Sequence, residues 1–112
     1  MIYFNNVTKK YGKGNASLED VTFSVSRGEF VSIIGHSGAG KTTLTKLLLA
    51  EEKPTSGTIF YESTDIHRFS NKELIKFRRK IGIIFQDFRL LQNRTAYENI
   101  AFAMETTGKA DE

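Results

Sequence analysis

The sequence has no cysteine and no tryptophan, and it contains a single proline among its 112 residues. The absence of cysteine excludes a disulfide scaffold, a zinc–thiolate centre and a cysteine nucleophile. Long apolar runs are absent too, because the stretches at 30–34 and 47–50 are far shorter than the ~20 residues of a membrane-spanning helix. The first residues show no basic segment followed by an apolar core, so we expect no signal peptide.

The sequence also lacks a strong charge of either sign. Sixteen Lys and Arg residues against 13 Asp and Glu residues leave a formal net charge of +3. This mild excess suits an anionic small ligand or an acidic surface and does not by itself indicate a DNA-binding protein. An apolar share of 39%, with 12% aromatic residues, is too high for a disordered chain. Length and composition therefore predict one small globular domain.

Hydrophobic patterning predicts an α/β fold with a mixed sheet. Residues 30–34 form a nearly continuous apolar run, typical of a strand buried on both faces in the interior of a sheet. A loop or hairpin is expected at residues 9–17. The other strands are predicted at 1–7, 21–25, 58–62 and 81–85, and helices at 41–51, 71–80 and 96–104.

Directly after the apolar run, residues 35–42 read Gly-His-Ser-Gly-Ala-Gly-Lys-Thr. This order fits the phosphate-binding P-loop, or Walker A, pattern. Its glycines allow positive φ angles and a close approach of the backbone, so that consecutive N–H groups can surround phosphate oxygens. A chance match in a chain of this length occurs roughly a few times per thousand on average composition. The alternative is a glycine-rich turn that binds no ligand.

Two side chains at the end of the pattern have their own chemistry. The predicted helix starts near Lys41, so its positive N-terminal end adds to the attraction for an anion. The Lys41 ammonium can bridge the β- and γ-phosphates, and the Thr42 hydroxyl can ligate Mg²⁺. The pattern thus predicts a nucleotide site with a bound magnesium ion.

Around this loop the sequence resembles the N-terminal half of the ABC-type ATPases. Three stretches carry the resemblance, at residues 7–25, 28–59 and 74–109. The continuation Asp-Phe-Arg-Leu-Leu at 87–91, followed by Asn-Arg-Thr-Ala-Tyr-Glu-Asn at 93–99, is most similar to the FtsE-type cell-division ATPases, which pair with the membrane protein FtsX. The resemblance implies the N-terminal part of an ABC nucleotide-binding domain, with an antiparallel, β-rich N-terminal region and the start of a helical subdomain.

The resemblance also implies the residues of the site and its cofactors, ATP and Mg²⁺. Tyr11 occupies the position of the aromatic residue that stacks on adenine, although local packing is the alternative. Gln86 matches a glutamine that ligates Mg²⁺ together with Thr42 and senses the γ-phosphate or the attacking water, and a solvated loop residue is the alternative. His36 is expected to contribute only its backbone. The implied nucleotide-binding set is Tyr11, Gly35, His36, Ser37, Gly38, Ala39, Gly40, Lys41, Thr42 and Thr43.

A membrane partner is the third implication. The resemblance implies an FtsX-like protein at the cytoplasmic face of the plasma membrane, peripheral attachment through that partner, a homodimer in the complete protein, and no nucleic-acid ligand. Phe88, Leu90 and Leu91 are either a docking patch for this partner or part of the core. His67 has no metal-binding neighbour at a useful spacing and is expected at the surface.

Several motifs of the family are not found in residues 1–112, which we therefore expect to be a partial domain that binds ATP without hydrolysing it. The missing motifs are the signature segment, the acidic magnesium-binding strand with its catalytic glutamate, and the histidine switch. Incomplete cover is expected for Ile33 and Ile83, with aggregation as the consequence. Three alternatives stay open: an importer or exporter ATPase, a small kinase using Arg78 and Arg79, and a partner-binding module without hydrolysis.

Overall fold

The computed structural model describes residues 1–108, which contain four β-strands and three α-helices. Contacts divide the chain into two units, Met1–Ile75 and a second that starts at Lys76. In chain order the elements are β1 (Ile2–Lys10), β2 (Ala16–Val25), α1 (Lys41–Leu48), β3 (Ser56–Tyr61), β4 (Thr64–Asp65), a 3₁₀ turn (Ile66–Arg68), α2 (Asn71–Arg78) and α3 (Ala96–Thr107).

The four strands form one antiparallel sheet in the order β2-β1-β3-β4. Phe4 on the central strand β1 pairs with Phe23 of β2 and with Ile59 of β3. The rings of Phe4 and Phe23 stack with centroids 4.6 Å apart, and Phe4, Val7 and Ile59 are fully buried. Phe4 and Val7 are three residues apart, so strict alternation would place them on opposite faces of the sheet. The pairing register shifts between them, where Asn6 has a φ of 48°, and this β-bulge allows both side chains to be buried. The α/β class and its antiparallel N-terminal region are confirmed.

Helix α1 contacts β2, and Leu47 on it is fully buried. The sequence predicts this helix over 41–51, but it ends at Leu48. Ala50 has a φ of 52°, its N–H donates to Leu47 O at 3.0 Å, and the N–H of Glu51 donates to Lys46 O at 2.9 Å. These two bonds form a Schellman motif, with alanine where glycine is usual.

The structure corrects the expectation for residues 30–34 and 81–85. Neither segment belongs to the four-stranded sheet. Phe30 and Ile34 are each 93% exposed, and Ile84 is fully exposed. A strand buried on both faces needs a strand on each side and cover above and below. The described residues provide no such strands for these two segments, so the parallel part of the predicted mixed sheet does not form.

Helix α3 has clear capping signals. The Thr95 hydroxyl accepts from the Glu98 N–H, and the Glu98 carboxylate accepts from the Thr95 N–H, which completes a capping box. At the other end, Gly108 in the left-handed region closes the helix. The helix therefore extends three residues beyond the predicted end at 104. Among residues 1–108, no helix is long and apolar enough to cross a bilayer.

Helix α2 begins where the sequence predicts and ends two residues earlier. Ser70 precedes it, and the Ser70 N–H and hydroxyl both donate to the Glu73 carboxylate, at 2.8 and 2.7 Å. Phe77 is buried as its apolar position suggests, whereas Ile75 is 53% exposed. The apolar side of this helix is therefore covered at Phe77 and open at Ile75.

Candidate phosphate-binding site

The glycine-rich loop at residues 35–40 leads directly into α1. Gly38 has a φ of 81° and Gly40 a φ of 94°, both in the left-handed region that side chains other than glycine rarely adopt. Gly40 is also constrained by space, because a Cβ there would overlap the carbonyl oxygen of Ser17 and lie 2.8 Å from Leu18 Cδ2. The loop thus turns into the helix close against the start of β2, where only glycine fits.

The first turn of α1 is open to an anion. Gly40 occupies the N-cap position and provides no side-chain cap, and the first turn carries no acidic residue. The first N–H groups of an α-helix have no partner within the helix. At this terminus they lie beside an exposed loop, together with the positive end of the helix dipole. This combination favours an oxyanion ligand.

The Lys41 ammonium lies across the loop that precedes it. Its Nζ donates hydrogen bonds to the carbonyl oxygens of Gly35 and His36, the latter at 2.7 Å. The Ala39 N–H closes the turn by donating to His36 O at 3.1 Å. The His36 ring contacts the carbonyl oxygen of Ser37 at 2.9 Å, whereas its backbone oxygen takes part in the loop. Lys41 therefore places a positive charge beside the backbone that would surround a phosphate.

Residues 35–43 are contiguous in the chain and form the loop and the first turn of α1, whereas the hydroxyl of Tyr11 lies beyond the other end of that helix. Thr42 is exposed on the first turn, and Thr43 beside it is partly buried. Tyr11 follows β1, and its side chain contacts Glu52, four residues beyond α1. Tyr11 is 47% exposed, so part of the residue is accessible for the expected stacking.

Glu52 is a residue that sequence reasoning missed. Its carboxylate accepts the phenolic proton of Tyr11 at 2.5 Å and forms ion pairs with Lys9 and Lys46, at 3.3 and 3.4 Å. The hydrogen bond from Tyr11, reinforced by these two lysines, holds the pKa of Glu52 below its usual value of 4.5. Only the alternation of charges near the end of α1 hints at this contact in the sequence.

His67 corrects a further expectation, because its side chain is only 10% exposed rather than at the surface. Its Nε2 lies 3.0 Å from the backbone oxygen of Glu52, and a carbonyl oxygen only accepts, so Nε2 carries the proton. Nδ1 is buried and has no hydrogen-bond partner among the described residues. Burial lowers the pKa of His67 below 6.5, since the charged ring loses its hydration there.

Gln86 belongs to the second unit, where it lies exposed at the start of a turn. The loop that follows exposes Phe88 (84%), Leu90 (64%) and Leu91 (43%). Of the two interpretations of these residues, burial in the core is therefore wrong. Asn99 on α3 holds the end of this loop, because its Oδ1 accepts from the Leu91 N–H at 2.8 Å and its Nδ2 donates to Thr95 O at 2.9 Å.

A model of the ABC transporter family matches residues 18–112. The chain belongs to the ABC transporter family. This membership favours the ABC interpretation over the small-kinase alternative. The match covers the loop at 35–43 and Gln86, whereas Tyr11 lies just before it.

Curated relatives of two kinds are similar to the chain. The methionine import ATP-binding protein MetN 1 of Bacillus thuringiensis subsp. konkukian is 51% identical over 108 residues, which is 94% of this chain and 32% of that protein. The cell division ATP-binding protein FtsE is 44% identical in Mycobacterium tuberculosis and 45% in Escherichia coli K12. These FtsE matches cover 97% and 96% of this chain, and 48% and 49% of the relatives. The chain therefore spans half or less of the length of these relatives.

Solved structures support the same fold. The dimeric structure of a bacterial ABC transporter cassette is 38% identical with a TM-score of 0.85, covering 95% of this chain and 47% of that one. A dimeric ATP-binding cassette in a post-hydrolysis state, bound to ADP and Pi, is 37% identical with a TM-score of 0.83 and the same coverage. The α/β cassette fold is thus shown at both the sequence and the backbone level.

Proposed function

We propose that residues 35–43 bind the phosphates of ATP together with Mg²⁺, as the nucleotide-binding part of an ABC-type ATPase. The open first turn of α1 after a loop with left-handed glycines is the observation that carries this proposal. Its backbone N–H groups and the Lys41 ammonium provide hydrogen-bond donors and positive charge for phosphate oxygens. The hydroxyl oxygen of Thr42 is a ligand of the kind that Mg²⁺ prefers. The residues present therefore fit both cofactors.

The remaining site residues have separate roles in this proposal. The Tyr11 ring stacks on the adenine, an interaction worth about 1–3 kcal/mol per base in nucleic-acid complexes. By its resemblance to the family, Gln86 would offer an amide oxygen to Mg²⁺ and would sense the γ-phosphate. When bound, Mg²⁺ neutralises charge on the β- and γ-phosphates. We expect residues 1–112 to bind ATP without turnover, because no position in them matches the general base of the family.

The decisive test measures Mg²⁺-ATP binding by the 112-residue chain, its Lys41→Ala variant and a Lys72→Ala control. Lys72 lies on α2 and gives the same change in net charge. Loss of a charge-assisted contact is expected to weaken binding about 10- to 100-fold for Lys41→Ala. The control should bind as the unsubstituted chain does. Equal affinities for all three proteins would contradict the proposed site, and phosphate release above background would contradict the absence of turnover.

At the level of the complex, we propose an ATPase subunit of FtsE type, a homodimer in the complete protein that attaches to the cytoplasmic face of the plasma membrane through an FtsX-like partner. The resemblance of residues 87–99 to the FtsE-type ATPases supports this choice, and two FtsE proteins are 44% and 45% identical to the chain as a whole. Phe88 and Leu90 provide exposed apolar area for a contact, and Asn99 fixes the loop that presents them. Exposed apolar groups grouped in this way are typical of protein interaction sites.

A methionine importer is the second candidate, and the identity of 51% to MetN 1 is the observation that favours it. Co-purification of the chain with an FtsX-type protein and, separately, with a methionine permease distinguishes the two. A Phe88→Ser/Leu91→Ser double variant should lose whichever partner binds, whereas Ile75→Ser, which removes an exposed apolar side chain from α2, should not. Capture of the permease alone would overturn the FtsE-type proposal. Capture of neither protein would overturn the proposal that the exposed apolar residues after Gln86 bind a partner.

A further inference from the structure

The Tyr11 side chain is held by a cluster that the phosphate site itself does not explain. Tyr11 donates its phenolic proton to Glu52 at 2.5 Å. Lys9 Nζ lies 5.0 Å from the centroid of the Tyr11 ring and 3.3 Å from the Glu52 carboxylate. The Tyr11 ring is therefore restrained both at its hydroxyl and over one face, although 47% of the residue is exposed.

Glu52 is itself fixed by backbone and side-chain contacts. The turn at Ala50 reverses the chain after α1, and Lys46 on the last turn of the helix pairs with the Glu52 carboxylate at 3.4 Å. The Glu52 backbone oxygen accepts from His67 Nε2 at 3.0 Å. Its side chain is 23% exposed, so it is more restrained than an ordinary surface carboxylate. These contacts link the Tyr11 ring to the helix that begins at the phosphate loop.

We propose that Glu52 is a positioning residue for base recognition, which holds the Tyr11 ring ready to stack on the base of a nucleoside triphosphate. This inference rests on the nucleotide-binding function proposed above. Binding is stronger when a contacting side chain is already ordered, because less conformational entropy is lost in the complex. Glu52 thus raises affinity for a ligand that carries a base and leaves affinity for an inorganic triphosphate unchanged.

The test compares Mg²⁺-ATP with Mg²⁺-tripolyphosphate, which has the phosphates and no base, by titration calorimetry on the full chain. Glu52→Ala removes the acceptor, and Tyr11→Phe removes the donor but keeps the ring. Each is expected to weaken ATP binding about 2- to 10-fold, the effect of freeing one side chain. Tripolyphosphate affinity should not change. Because both variants break the same hydrogen bond, the double variant should bind ATP no more weakly than either alone.

Two further variants separate positioning from a structural role. Glu52→Gln keeps an oxygen that can accept the phenolic proton, so it should recover most of the ATP affinity that Glu52→Ala loses. Glu51→Ala, which removes the adjacent exposed carboxylate, should bind both ligands as the unsubstituted chain does. Equal losses for ATP and tripolyphosphate in Glu52→Ala would overturn the inference, because they indicate damage to the whole site. Unchanged ATP affinity would overturn it as well.

The outcome for the phosphate site is distinguishable from that for Glu52. In one outcome, the unsubstituted chain binds both ligands with equal affinity while the Lys41→Ala variant binds neither. That result would support the phosphate site and contradict base recognition through Tyr11 and Glu52. If it binds neither ligand, the proposed function and this inference fall together.

Discussion

Gly40 is the residue on which the geometry of the loop depends most directly. Its left-handed backbone and its approach to Ser17 and Leu18 both exclude a side chain. We expect Gly40→Ala to lower the free energy of unfolding by about 2–4 kcal/mol, from the left-handed penalty and the steric overlap together. Chemical denaturation measures this change. Gly14→Ala, at a glycine with open space and no positive φ, is the matched control and should cost far less.

His67 makes the stability of the chain depend on pH. Its pKa in the folded state lies below 6.5 because of burial, so near pH 6 the unfolded chain binds more protons than the folded one. Neutral His67 therefore makes its full contribution to the free energy of unfolding above pH 6.5. That contribution is lost as the pH falls from 6.5 through the pKa of His67 in the folded state. Thermal denaturation between pH 5 and 8 should show this decline. The decline of the melting temperature with falling pH should be smaller in His67→Gln and unchanged in His36→Gln. An unchanged decline in His67→Gln would contradict the assignment of this pH dependence to His67.

At the scale of elements, the C-terminal end of α1 is closed by a residue in an unfavourable backbone conformation. Ala50 adopts the left-handed conformation at the position where glycine is usual. We expect Ala50→Gly to raise the free energy of unfolding by about 1 kcal/mol, because glycine has no Cβ to strain at that φ. Denaturant titration checks this, with Ala103→Gly inside α3 as a contrast that should lose about 1 kcal/mol. Destabilisation by Ala50→Gly would mean that the alanine methyl group makes a packing contact that outweighs the strain.

The same scale explains which elements could be predicted. Alternating apolar residues predicted the second half of β2, and helical spacing predicted α1, since both patterns follow directly from backbone periodicity. Aromatic and β-branched residues predicted the first part of β1, whereas the ends of both strands next to the connecting loop were missed. The capping box at Thr95 and Glu98 could also have been found from its spacing. The short strand β4 and the 3₁₀ turn were missed, because two or three residues carry too little pattern.

At the scale of the whole molecule, the exposure of residues 30–34 is the main departure from the hydrophobic patterning, which predicted a strand buried on both faces. Ile33 is 50% exposed beside Phe30 and Ile34, which confirms its expected lack of cover. We expect the isolated chain to bind an apolar dye and to self-associate, because apolar patches and unpaired backbone favour both. Phe30→Ser/Ile34→Ser should lower dye fluorescence and association measured by light scattering, whereas Ile75→Ser should change them little. Unchanged dye fluorescence and light scattering in the double variant would show that Phe30 and Ile34 do not form the surface that binds the dye and mediates self-association.

The amino-acid sequence by itself predicted the candidate phosphate loop, because phosphate binding by such a loop depends on residue types at fixed spacing, and the glycines, Lys41 and Thr42 are contiguous in the chain. It also predicted strands at 1–7 and 21–25, whereas their antiparallel arrangement was implied by the resemblance to the ABC-type ATPases. Only the tertiary structure decided that Glu52 meets Tyr11, that His67 is buried against the backbone of Glu52, and that residues 30–34 lie outside the sheet. These outcomes depend on contacts between residues far apart in the chain, and the energy of such contacts is set by burial and neighbours rather than by local periodicity.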